Sequence, residues 1–276
     1  MKSSAIKTQN NQVMPAGSRL WTPFDYPFTI GYHSVRQFQS LSNGDRITVW
    51  NDLKGNNSLE ATNQGTRPEV VTSSTFGGLK AMEMVAAGVR GDLVDSSPSS
   101  LLDIGTGDFF LACAFTVSAA GVLFECQGAD SAEKIKLQIT TKANKLRFEC
   151  AGATVIGTTT MTYPSTHVYC AVRKNGVITT FLNGQMDGAP TSGSDEDVNN
   201  DGPISIGDET SGATITYGEF IYGGSPNQNV IDFDSNAFGR DRALFEGYLA
   251  HRLNIAPITL GSFLMAHPYK FGPPKK

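Results

Sequence analysis

Ile135-Lys136-Leu137-Gln138-Ile139 and, a few residues on, Leu146-Arg147-Phe148-Glu149-Cys150 place an apolar residue at every second position and a charged or amide residue between. Successive side chains of a strand point to opposite faces, so each run has one dry face and one wet face. A period of two predicts strands here rather than helix.

Similar runs extend in both directions. Strands are expected at Arg46 to Trp50, Leu79 to Val85, Asp108 to Val117, Gly121 to Cys126, Lys134 to Thr140, Lys145 to Cys150, His167 to Lys174, Val177 to Leu182, Pro203 to Ile206 and Thr214 to Tyr222. Lys174-Asn175-Gly176 and Asn183-Gly184 supply the positive φ that tight hairpins need. Ten or more short antiparallel strands separated by turns predict an all-β fold, a two-sheet antiparallel jelly-roll sandwich. No fixed-period repeat points to a propeller or β-helix.

One segment departs from this pattern. Over Arg240 to Leu253, Leu244, Phe245, Tyr248, Leu249 and Leu253 recur at three- and four-residue spacings, while Arg242, Glu246 and Arg252 lie off that face. A helix this short, about 20 Å long, must dock on something apolar to be stable. The division expected is an extended N-terminal arm over 1–27, a sandwich over 28–256 that includes the closing helix 240–253, and an extended Pro-rich tail over 257–276. The arm is polar and then punctuated by Pro15, Pro23 and Pro27 around Leu20-Trp21, and reads as an assembly arm.

Hydrophobic residues make up 39% of the 276 and charged ones 17%, with 29 glycines, which indicates a folded chain rich in turns rather than a disordered one. A net charge of −4 without a basic stripe argues against nucleic acid as a partner. No apolar run reaches the roughly eighteen residues of a membrane span, and the first residues lack the apolar core of a secretory signal. Cytoplasmic synthesis, with no membrane partner, is the expectation. Cys113, Cys126, Cys150 and Cys170 each sit inside a strand-like run and read as buried thiols acting as small hydrophobes.

The sequence offers little chemistry. No Glu-x-Asp-x-x-Glu strand pattern and no Gly-x-Ser-x-Gly step occur, and His33, His167, His251 and His267 lack a nucleophile context. The acidic run Asp195-Glu196-Asp197 reads as a solvated turn, so no catalytic residue and no cofactor is expected. For a metal the reading stays open. Asp197, Asn199, Asp201, Ser205 and Asp208, with Gly202 sixth, match an EF-type calcium loop, but turn plus strand explains the same residues. Arg90-Gly91-Asp92 reads as a chance tripeptide in a turn. Trp50 is expected in the core. Trp21 is expected either in its own sandwich or as an anchor on a partner.

Ile47-Thr48-Val49-Trp50-Asn51-Asp52-Leu53-Lys54-Gly55-Asn56-Asn57, then Ala61-Thr62, Arg67-Pro68 and Gly78-Leu79-Lys80-Ala81-Met82, resembles the opening of laminin-G-like, concanavalin A-like domains. Phe181-Leu182-Asn183-Gly184 with Gly202-Pro203-Ile204-Ser205-Ile206-Gly207 resembles a later hairpin of that fold. Glu246 to Leu253 with His267-Pro268-Tyr269-Lys270 is similar to the closing helix and tail of such domains in bacteriophage proteins. Two departures stand out: Met82-Glu83-Met84-Val85 where Phe-Asp-Gly is common, and a long polar loop over Gly223 to Gly239. The resemblance implies a non-enzymatic virion structural protein, most simply a capsid decoration or cement protein. It would be made in the host cytoplasm, form homo-oligomers on the particle and bind the major capsid protein or other virion proteins. The alternative is a glycan-binding adhesin or tail fibre component that binds host surface glycan, with Tyr217, Tyr222, Asn227 and Asn229 as contributors to a groove.

Overall fold

The computed structural model describes residues 23, 26–54, 58–61, 67–84, 93–94, 104–127, 133–194, 197–198, 204–207, 213–227, 231, 240–253 and 255. Among them the chain forms two antiparallel sheets and one helix. The nine-stranded sheet runs in the order β14 (Gln185–Met186), β13 (Val177–Leu182), β12 (Ser165–Lys174), β7 (Asp108–Val117), β17 (Ile215–Ser225), β5 (Leu79–Met84) and β4 (Glu69–Ser73). In addition, β1 (Thr29–Ser34) lies on β17 and β15 (Thr191–Ser192) on β13. The eight-stranded sheet runs β11 (Ala153–Ile156), β10 (Leu146–Cys150), β9 (Glu133–Ile139), β8 (Gly121–Gln127), β16 (Ile204–Ile206), β6 (Leu93–Val94), β3 (Leu59–Glu60) and β2 (Val49–Trp50). The expected all-β sandwich is the fold observed.

The sheets face each other across an aromatic core. Phe124 of one packs on Phe220 of the other at 5.1 Å, Phe148 on Tyr169 at 6.5 Å, and the Tyr217 hydroxyl donates to the Leu123 carbonyl at 2.5 Å. The opposite face of the nine-stranded sheet is covered by α1 (Arg240–Arg252), whose Phe245 sits 4.9 Å from Phe110. Strand β7 is therefore buried on both sides. This is why Phe109-Phe110-Leu111-Ala112-Cys113-Ala114-Phe115 reads as a continuous apolar run while β9 and β10 alternate.

Both predicted hairpins form, with φ of 50° and 71° at Asn175 and Gly176 and of 50° and 83° at Asn183 and Gly184. All four cysteines are buried thiols. The expected helix is present, but its buried face is turned. Arg242 and Glu246, placed off the face by the sequence pattern, are 2% and 0% exposed. The guanidinium of Arg242 stands 4.1 Å over the Phe181 ring and pairs with the Glu246 carboxylate one turn on, which lets the helix bury both.

Gly223, expected in a polar loop, instead continues β17 to Ser225. A side chain there would stand 2.1 Å from the Phe28 carbonyl, so glycine permits the close approach of the segment that leads into β1. Tyr26, read as part of the arm, packs on Phe245 at 5.2 Å and on Phe110 at 5.6 Å, and Thr29 Oγ1 donates to the Pro23 carbonyl at 2.8 Å. Residues 1–22, including Trp21, and the tail 257–276 lie outside the described residues, as do Arg90, Gly91 and Asp92.

Candidate binding face

The outer face of the eight-stranded sheet has no helix on it among the described residues, and its side chains are ordered by strand register. Thr154, Glu149, Lys136, Glu125 and Ser205 form one row across five strands, and Ile156, Arg147, Gln138 and Val122 form the next. Cross-links hold the rows. Gln138 Nε2 donates to Glu149 Oε1 at 2.9 Å, Arg147 Nη2 to Glu149 Oε2 at 3.1 Å, and Lys136 Nζ lies 3.3 Å from Glu125 Oε2. The Arg147 and Glu149 side chains keep 38% and 26% of their exposure, and Ile156 at the end of their row is 56% exposed. The result is a set of fixed donors and acceptors beside an aliphatic surface. Such a face can hold a hydroxyl-rich ligand.

A second cluster needs a chemical test because it has the composition of a nucleophile–base pair. His167 Nε2 is 2.7 Å from the half-buried Ser165 hydroxyl, and Asn183 Nδ2 is 3.1 Å from His167 Nδ1. The Asn183 carbonyl oxygen already accepts from Val168 N at 2.9 Å, which fixes the amide so that its NH₂ faces the ring. His167 Nδ1 is then an acceptor, and the ring proton sits on Nε2, donated to Ser165. A histidine in that tautomer cannot take the serine proton. Burial also pulls the ring's pKa down to about 4, against the opposing pull of Asp187, so the ring is neutral at physiological pH. In this tautomer the arrangement links β12 to the turn at Asn183 and leaves His167 without the free Nε2 lone pair that a general base for Ser165 needs.

The residues expected in a glycan groove do not assemble one. Tyr217 and Tyr222 are both fully buried between the sheets. Five positions apart, they would face opposite sides of a regular strand, but a bulge in β17 between Tyr217 and Glu219 turns both inward. Tyr222 stacks on His33 at 6.0 Å, and Gly31 opposite has no room for a side chain, since one would meet the Tyr222 ring at 2.2 Å. Asn227 lies exposed beyond the strand, and Asn229 is outside the described residues.

Of the calcium pattern, Asp197 is exposed and Ser205 belongs to the central strand β16. Asn199, Asp201 and Asp208 are outside the described residues, as are Asp195 and Glu196. Among the described residues no three His, Cys, Asp or Glu side chains group to hold a metal. Trp50 is buried as expected, 5.4 Å from His33, whose ring burial drives to a pKa of about 4 despite Asp52 nearby. His251 and His267 are not described at side-chain level.

No family model and no curated protein sequence matches the chain. Solved structures do match its fold. A structure of botulinum neurotoxin type C, whose cell entry depends on interaction with two ganglioside molecules, superposes with a TM-score of 0.54 at 12% identity over 80% of this chain and 51% of that one. The binding domain of Paraclostridial Mosquitocidal Protein 1 gives 0.53 at 12% identity over 74% and 50%. Trypanosoma rangeli sialidase in complex with the inhibitor DANA gives 0.52 at 14% identity over 88% and 36%. The chain spans about half the length of the two toxin chains. At these identities the likeness is one of β-sandwich fold.

Proposed function

We propose that this protein is a non-catalytic binding module whose ligand is a carbohydrate, held on the outer face of the eight-stranded sheet. The observation that carries the reading is the Gln138–Glu149–Arg147 array beside exposed Ile156. An amide, a carboxylate and a guanidinium held by one another lose little freedom on binding, and each offers the planar donors and acceptors that sugar hydroxyls match. The neutral His167, with its proton on the wrong nitrogen for a base, supports binding over hydrolysis.

Support of a weaker kind comes from the matching folds, which include toxin binding domains, one of them in complex with SialylT at a TM-score of 0.51. Of the two functions expected from the sequence, this is the glycan-binding one. The virion-coat reading rests on the sequence resemblance and on an arm whose first twenty-two residues lie outside the described ones.

A glycan array tests the proposal directly. Wild-type protein is expected to bind a defined subset of oligosaccharides, and Gln138→Ala and Arg147→Ala to lose that binding while remaining folded. Binding that survives both substitutions would remove this face from consideration, and no binding to any glycan would end the reading.

A further inference from the structure

Two buried glutamates lie where α1 docks on the nine-stranded sheet, one on β17 and one on the helix itself. Glu219 is 0% exposed at the bulge of β17, where its Oε1 accepts from the Ser34 hydroxyl at 2.9 Å. The Tyr32 and Tyr248 hydroxyls are hydrogen-bonded to each other beside it, Tyr248 being the helix residue of that pair. Glu246, also 0% exposed, is on the helix itself, paired with Arg242 and close to the Cys170 thiol. The helix also meets this sheet through Phe245 on Phe110 and through Arg242, which stands over Phe181 and donates to the Gly184 carbonyl at 3.4 Å, while Leu253 just past its end packs against Gly218.

We propose that α1 is a releasable cover, held on the nine-stranded sheet while Glu219 and Glu246 are protonated and loosened as they ionise. A carboxylate in an apolar seam must keep its proton, be fully compensated by a cation or regain water; here burial outweighs the pull of Arg242 on Glu246 and of Arg36 on Glu219, and water is regained by lifting the helix. The groups that face Glu219 are Ser34 and Tyr32 from β1, Arg36 from the turn that follows, and Tyr248 from α1. Those that face Glu246 are Arg242 on its own helix and Cys170 of β12. Burial raises the Glu219 pKa from the ordinary 4.5 to about 8, with Ser34, Tyr32 and Arg36 opposing. It raises that of Glu246 to about 7, with Arg242 opposing.

The sign follows from proton linkage. Between the ordinary carboxyl range and the raised values, the docked state holds a proton that the undocked state has lost. Docking is therefore strongest in acid, weakens as pH rises through 7 and 8, and is flat above that. Each acid weakens it by about tenfold per pH unit inside its window.

Cys170 reports the event without any added probe. It is fully buried on the helix side of the sheet, as the register partner of Phe181, whereas Cys113 lies between the two sheets as the partner of Phe220 and Tyr169. Labelling of the full-length protein with a thiol reagent, normalised at each pH to an unfolded thiol, is expected to rise by about a hundredfold or more at Cys170 between pH 6 and pH 8, roughly one decade from Glu246 and nearly two from Glu219. Cys113 is expected to stay protected, and the E219Q/E246Q double variant to show no rise. The proposal is overturned if normalised Cys170 labelling is flat, if the double variant rises like wild type, or if Cys113 labels in step with Cys170, which would mean global unfolding. Should the double variant not fold, the Cys170-to-Cys113 ratio of the wild-type protein decides alone.

Discussion

Two Arg–Glu pairs sit on the two outer faces of this sandwich, and their surroundings separate a fold-holding element from a binding surface. Arg242 and Glu246 lie on the buried face of the closing helix at 2% and 0% side-chain exposure, whereas Arg147 and Glu149 lie on the open sheet at 38% and 26%. The chemistry is the same and the dielectric is not. On that buried face, neither partner can be lost without leaving the other in an apolar seam. On the open face each partner falls back on water.

Removing the cation makes that contrast measurable. Arg242→Ala is expected to cost about 3–5 kcal/mol, since it strands Glu246 and uncovers the Phe181 ring, and the cost should grow as pH rises and Glu246 ionises. Phe245→Ala is expected to fall in a similar range, about 3–5 kcal/mol, because it opens a cavity among Phe110, Tyr26 and the helix. Denaturant midpoints at pH 6 and pH 8 give both values. If Arg242→Ala cost under about 1 kcal/mol at both pH values, the helix-side pair would behave as a surface pair and the contrast would fail.

Next in size is the acid response of the two buried histidines. His33 and His167 are each lowered by burial to a pKa of about 4, so as pH falls the unfolded chain takes its protons first, near the ordinary 6.5. Stability from these rings is complete above 6.5 and is lost as pH falls through 4, by up to roughly 3 kcal/mol each. This slope opposes that of the two buried glutamates, which destabilise the protein as pH rises. Ring titration by NMR checks it. Either ring titrating near 6.5 in the folded protein would show that its site is wet.

Local pattern makes much of this molecule legible in its sequence. The edges of β7 and β13 agree to the residue with those expected, because apolar runs and Asn-Gly turns mark them directly. The expected helix ended within one residue of the observed one. What escaped depends on partners distant in sequence. Arg242 and Glu246 look like solvent-facing residues until Phe181 of β13 supplies an aromatic face for the guanidinium. Tyr217 and Tyr222, expected together in a groove, are instead both turned between the sheets by a bulge in β17. The binding face shows the same limit. Alternation revealed that Arg147, Gln138 and Glu149 are outward, but only register shows that they meet, and Ile156 joins them through a short strand the sequence did not announce.

The smallest expected effect bears most directly on function. Arg147→Ala removes a half-exposed guanidinium whose partner, Glu149, keeps the Gln138 amide after the change. The stability cost should therefore stay between about 0 and 1 kcal/mol, the range of exposed pairs. Loss of glycan binding with that small cost would mean that Arg147 serves the ligand more than the fold. A cost above about 2 kcal/mol would mean the reverse. The guanidinium would then be bracing strands β9 to β11, and any change in binding would follow from a deformed sheet. The double change with Glu149→Ala separates these cases further. If the pair is a surface feature, the two single costs and the double cost nearly add, with a coupling below about 0.5 kcal/mol. A larger coupling would place this pair beside Arg242–Glu246 as part of the framework and leave the open face without its central ligand contact.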